Sequence, residues 1–132
     1  MIGVDTNVLV RYLAQDDPKQ SAIATRFIED KLSAENPGFV SAVTLCEMAW
    51  VLDVSYGTDR NGIRRTVENL LSTRQLAIEG AELVWKALRA SEGASADFSD
   101  ALIGQIAAAN GCETTVTFDR AAGKLAGFEL LA

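Results

Sequence analysis

Five carboxylates stand at positions where chemistry could be done. Asp5 follows the apolar run Met1-Ile2-Gly3-Val4 and is the first charge in the chain. Glu47 is the single charge between Gly38 and Leu52, and Asp97 and Asp100 precede a run with no further charge until Glu113. Asp119 ends the β-prone run Thr114-Thr115-Val116-Thr117-Phe118. Carboxylates brought together repel, raise one another's pKa and cost stability unless cations neutralise them. Mg²⁺ accepts a few carboxylates, keeps several waters and leaves positions open for phosphate oxygens, and Mn²⁺ suits the same ligands. Such a set supports hydrolysis of a phosphodiester, in which a carboxylate takes the proton of the attacking water while divalent ions stabilise the charge at phosphorus.

Each acid also has a plainer role. Asp5 with Thr6 and Asn7 offers good helix-capping chemistry. Glu47 fits a narrow polar edge on an otherwise buried helix, although a lone buried carboxylate costs several kcal/mol without a partner. Asp97 and Asp100 are three apart, so they share one face, and acids in a first turn suit the helix macrodipole. That account explains one acid more easily than two.

Composition removes other chemistries. The chain has no histidine, which rules out Ser-His-Asp and Cys-His pairs, His-ligated zinc and an HExxH helix within it. The net charge of -6 argues against a protein that coats nucleic acid through a broad basic face, but not against a nuclease with an acidic, metal-holding site. Setting the five acids aside from the 18 leaves 13 against 12 Lys plus Arg, so most of the net charge fits one pocket. Any five acids give the same subtraction. Cys46 and Cys112 lack the spacing of a disulfide framework or a metal knuckle and read as core fillers in a reducing compartment. No apolar stretch approaches the roughly 20 residues of a membrane span, and no basic region precedes a long apolar run, so a cytoplasmic protein is expected.

The elements that must position these acids alternate short strands with longer helices. A buried strand over the first residues leads into a helix that continues over 8–13. Asp17-Pro18 then opens a second helix with Ile23, Phe27, Ile28 and Leu32 inward. Asn36-Pro37-Gly38 is a turn, Phe39-Val40 a short strand, and Ser41 caps the apolar helix that carries Glu47 and stops at Tyr56-Gly57. Trp50, Tyr56 and Trp85 read as core.

Asp59 caps a further helix with Ile63, Val67, Leu70 and Leu71 on one face, and Leu76-Ala77-Ile78 is a strand. A helix spans 79–92 with Leu83, Val84, Ala87 and Leu88 inward. The next begins around Asp97 and ends at Asn110-Gly111; the strand before Asp119 and a last short strand in the Phe128-Glu129-Leu130-Leu131 tail complete the pattern. This predicts one α/β domain over 1–132, a parallel sheet flanked by helices on both faces. Right-handed crossovers place the strand ends before Asp5 and Asp119 on one rim, where all five acids can converge.

Val4-Asp5-Thr6-Asn7-Val8-Leu9, Glu47, Asp97-Phe98-Ser99-Asp100-Ala101-Leu102-Ile103 and Thr117-Phe118-Asp119-Arg120, in that order, resemble a PIN domain, specifically a VapC-type toxin. The resemblance runs from about Ile2 to Leu125. It implies a metal-dependent endoribonuclease using Mg²⁺ or Mn²⁺, acting as the toxin of a type II toxin-antitoxin pair, neutralised by a cognate antitoxin and commonly a homodimer. Position by position, Asp5, Glu47, Asp100 and Asp119 match the acidic metal-binding quartet, and Asp97 matches an additional acid present in many members. Thr6, Asn7 and Thr117 match polar positions that orient the carboxylates. With so acidic a chain, RNA affinity rests on metal ions and a few cations such as Arg11 and Arg120.

Two readings from other classes stay open. An aspartyl-phosphate phosphotransferase also has an Asp at the end of its first strand, but the haloacid dehalogenase pattern wants a second Asp where this chain has Asn7. A non-catalytic α/β binding module could use the same crevice for a partner.

Overall fold

A computed structural model describes all 132 residues, Met1–Ala132, as two compact units, 1–79 and 80–132. In the first, strand β1 (Ile2–Gly3) leads into helix α1 (Thr6–Ala14) and then α2 (Pro18–Arg26), which continues as a π turn, Phe27–Lys31. Strand β2 (Gly38–Val40), the long helix α3 (Ala42–Tyr56), α4 (Arg60–Leu71) and β3 (Leu76–Ile78) follow. The three strands form a parallel sheet in the order β1-β2-β3, with Gly3 beside Phe39 and Phe39 beside Ala77. Gly38 makes this close approach possible. A Cβ there would lie 2.7 Å from both Leu32 Cδ1 and Val4 Cγ2.

The helix starts follow the capping chemistry of the sequence. Asp17, Ser41 and Asp59 occupy the N-caps of α2, α3 and α4, and each side chain accepts a backbone N–H of its helix. Gly57 ends α3 in the left-handed conformation, at φ 64°. Leu9, Ile28, Val40, Leu45, Met48, Val67 and Leu70 form the core of this unit.

Several expectations about the core are overturned. Ile2 and Gly3 in β1 are exposed, and of the two cysteines expected to fill the core Cys46 is half-buried and Cys112 exposed. Ile23 is exposed, and Ser21 and Ala24 take the inward positions of α2 ahead of the buried Ile28 and Leu32. The small Ser21 can be buried there because its hydroxyl donates to the Arg11 carbonyl at 2.9 Å. Helix α3 is buried only along Thr44, Leu45, Met48, Ala49 and Leu52; Trp50 is 64% exposed, and Val43 and Val54 lie on the same open side. Tyr56 and, in the second unit, Trp85 are also partly open. Uniform apolarity in α3 hides which face is inward, because periodicity carries no signal when both faces are apolar.

The second unit packs helix α5 (Ala81–Ser91) against α6 (Phe98–Ala109). Strands β4 (Thr115–Thr117) and β5 (Phe128–Leu130) pair in parallel around a 3-10 turn, Ala122–Lys124. Val84, Ala87, Leu88, Phe98, Ala101, Leu102 and Leu125 are its core. Helix α5 starts two residues later than the sequence suggests. Gly80 is left-handed at φ 61°, and the Glu79 N–H continues the strand by donating to the Val40 carbonyl at 2.9 Å.

The α/β class with parallel strands and intervening helices is the one the sequence predicts. The strands pair as a set of three and a set of two. No helix is long and apolar enough to cross a membrane.

Candidate active site

In the first unit, Asp5 follows the buried Val4 and caps α1, its Oδ1 accepting the Thr6 N–H at 2.7 Å. Asp5 is exposed and in the N-cap role its plainer reading assigns. The Thr6 hydroxyl donates to Glu47 Oε1 at 2.8 Å. One threonine therefore joins two carboxylates 42 positions apart in sequence, by its backbone to Asp5 and by its side chain to Glu47. Glu47 sits on the open side of α3. Its polar surroundings come from that exposure and from Thr6, so no buried uncompensated charge arises. Asn7 is exposed in the first turn of α1.

Arg11 is engaged elsewhere. Its Nη1 lies 3.2 Å from Asp16 Oδ1 and its Nε donates to Gln20 Oε1 at 2.8 Å. The Tyr56 hydroxyl donates to the other oxygen of Asp16 at 2.6 Å. That bond, more than the Arg11 charge, holds the Asp16 carboxyl below the usual carboxylate range, and the same bond pushes the Tyr56 hydroxyl up.

In the second unit, Asp97 has N-cap backbone geometry at the start of α6, yet its carboxylate makes no capping bond. Asp100 follows in the first turn. Its pKa is raised, first by burial and then by the charge of Asp97, with a smaller push from Asp119; a hydrogen bond from the Asp97 backbone N–H acts in the opposite direction. Asp97 and Asp119 thus both act electrostatically on Asp100. Asp119 is fixed from both sides. Its N–H donates to Thr117 Oγ1 at 3.0 Å, and its Oδ1 accepts the Ala122 N–H at 2.9 Å. Arg120 is exposed beside it.

Carboxylate and hydroxyl oxygens are the donors a hard divalent cation selects. Beside the burial that raises the Asp100 pKa, Asp97 and Asp119 add negative charge that a cation would offset. Within neither unit do three ligating side chains gather closely enough to form a cation site by themselves. Mg²⁺ is usually held through one or two such carboxylates, with water and substrate oxygens completing its shell.

Sequence reasoning missed Glu79, whose carboxylate accepts the Ala42 N–H at the start of α3 at 2.8 Å. Its only sequence signal is a charge directly after a strand. It also missed the Asp16 and Tyr56 pairing, which joins residues 40 apart that no local pattern connects.

A comparison with curated proteins finds no match. A family model for the PIN domain, a fold that generally serves nucleases using divalent metals, matches residues 2–127, nearly the whole length, and the chain belongs to the PIN domain family.

Proposed function

We propose that this PIN domain is an endoribonuclease dependent on Mg²⁺ or Mn²⁺ and the toxin of a type II toxin-antitoxin pair. The observation that carries the metal dependence is the second unit's acidic group. Asp97 occupies a capping position without capping, and Asp100 is raised by burial and by two neighbouring carboxylates. Helix stabilisation alone accounts for neither feature.

In this reading the metal-binding and catalytic acids are Asp5 and Glu47 of the first unit and Asp100 and Asp119 of the second, with Asp97 as a further ligand. When bound, the divalent ion supplies Lewis-acid stabilisation of the charge that develops on the phosphate and its leaving oxygen. The protein's own groups do the rest. A carboxylate accepts the proton of the attacking water, Thr6 holds Glu47 by its hydroxyl and Asp5 by its N–H, and Thr117 holds the backbone of Asp119. Arg120, exposed beside Asp119, would meet a substrate phosphate. Arg11 can do so only after leaving Asp16.

The open apolar side of α3, with Val43, Trp50 and Val54, supports a protein partner, either the antitoxin or a second copy in a homodimer. A reducing, cytoplasmic compartment suits Cys46 and Cys112, which form no disulfide.

The test is incubation of the purified protein with a pool of structured RNAs, including transfer RNA, with Mg²⁺, with Mn²⁺ and with chelator, beside Asp5→Asn. Discrete cuts that need metal and vanish in the variant are expected. Cutting that persists in chelator or in Asp5→Asn would refute the mechanism. Coexpression with a candidate antitoxin should yield a copurifying inhibitor, and a protein harmless when expressed alone counts against the toxin role.

A further inference from the structure

Helix α3 must be held in place for Glu47 to meet Thr6, and the residue that does this at its N-terminus comes from another strand. Ala42 is the first residue of α3, and the first turn of that helix contains no acid of its own. The first four N–H groups of a helix lack intrahelical partners. The Ser41 hydroxyl accepts one of them, from Thr44 at 3.1 Å. Glu79 accepts another, from Ala42 at 2.8 Å, across 37 positions of sequence. The Glu79 backbone is itself anchored, since its N–H donates to the Val40 carbonyl at 2.9 Å just past β3. A carboxylate at this end also meets the positive pole of the helix. The N-terminus of α3 is therefore tied to β2 through Ser41 and to β3 through Glu79.

Five residues farther along, the Thr6 hydroxyl holds Glu47 Oε1 at 2.8 Å, and the Thr6 N–H holds Asp5 Oδ1 at 2.7 Å. A displacement of α3 by about 1 Å would carry Glu47 beyond hydrogen-bond range of Thr6. We propose that Glu79 is a positioning residue for Glu47: by pinning the Ala42 N–H it fixes α3 so that Glu47 stays in register with Thr6 and Asp5. The inference rests on the metal-dependent reading above.

A matched control exists within the same unit. Asp59 caps α4 with the same kind of bond, its Oδ1 accepting the Gly62 N–H at 2.7 Å, and α4 carries none of the proposed ligands. Glu79→Ala, Glu79→Gln and Asp59→Ala are compared with the unaltered protein for Tm, for Mn²⁺ affinity by isothermal titration, and for kcat and KM on a cleaved RNA. Both alanine variants should lower Tm by roughly 3–5 °C, as loss of one cap does.

Only Glu79→Ala should also lose Mn²⁺ affinity, about tenfold, together with kcat at unchanged KM. Glu79→Gln should recover both, because its amide oxygen can accept the same bond. An Mn²⁺ affinity in Glu79→Ala equal to that of Asp59→Ala overturns the proposal. A Glu79→Gln protein as weak as Glu79→Ala assigns the loss to missing charge and overturns it as well. If the unaltered protein binds Mn²⁺ but cuts no RNA, the ribonuclease reading falls, while the Mn²⁺ comparison still decides for or against Glu79. No Mn²⁺ binding by the unaltered protein overturns both.

Discussion

The hydroxyl of Thr6 and the carboxylate of Glu47 meet at 2.8 Å, so the start of α1 and the second turn of α3 are joined by a single side-chain bond. Thr6→Val keeps the shape and deletes the donor. Metal affinity and kcat are expected to fall about tenfold, the lower range for losing a group that orients a ligand, while Thr6→Ser retains most of both. Titration with Mn²⁺ alongside single-turnover cleavage checks this. Equal activity in Thr6→Val and the unaltered protein would remove Thr6 from the site.

Asp100 gives a second prediction, with a sign that distinguishes a site residue from a stabilising one. Its pKa in the folded protein is raised, first by burial and then by Asp97 and Asp119. Its contribution to stability is therefore fully present below the unfolded carboxylate pKa and is lost as pH rises through the raised folded value. Above that value, without divalent ions, the ionised carboxylate works against folding. Asp100→Asn should accordingly raise Tm while abolishing cleavage, and Mg²⁺ should raise the Tm of the unaltered protein more than that of the variant. Thermal melts with chelator and with Mg²⁺ test both parts; a lower Tm for the variant in chelator would contradict the electrostatic account.

Much of this arrangement is legible in the sequence, and the exceptions have physical causes. Asp17, Ser41 and Asp59 identify their helices because capping is local chemistry, resolved within three residues. The strands over Leu76–Ile78 and Thr115–Thr117 are readable from β-prone residues bounded by polar ones. The inward face of α3 was not readable, because Trp50, Val43 and Val54 are as apolar as Leu45 and Met48. Nor were the long-range hydrogen bonds of Thr6, Tyr56 and Glu79, each of which depends on packing that brings distant segments together. At the site, the acids and the polar residues beside them stand out in sequence, while the tethers that fix α3 emerge only from the fold.

The Tyr56 and Asp16 pair makes a pH-dependent prediction. Asp16 has a lowered folded pKa, chiefly through the Tyr56 hydroxyl. Its contribution is present above the unfolded carboxylate pKa of about 3.9 and is lost as pH falls through the lower folded value. Tyr56, with its pKa raised chiefly by the same bond, contributes below its unfolded pKa of about 10 and loses that contribution above it. Tyr56→Phe should thus lower Tm at pH 7, with the difference narrowing toward both acid and alkaline extremes. A constant difference from acid to alkali would show that the ring's packing, and not the bond, is what matters.

Gly104 on α6 tests how closely the helix that carries Asp100 must approach the strand beside β4. A Cβ at Gly104 would collide with the Phe128 ring on β5, and β5 pairs with β4, which leads through Thr117 into Asp119. Gly104→Ala gains helix propensity of up to about 1 kcal/mol, but overpacking against an aromatic ring costs about 1–3 kcal/mol, so a net loss of stability is expected. The same collision pushes α6 away from β5, and Asp100 away from Asp119 with it. Metal affinity should then fall in Gly104→Ala, and the paired change Gly104→Ala with Phe128→Leu, which removes the ring, should restore stability and affinity together. Denaturant melts and Mn²⁺ titration of the single and double variants measure the coupling. Additive effects would mean that the Gly104 and Phe128 contact does not set the spacing of the acids.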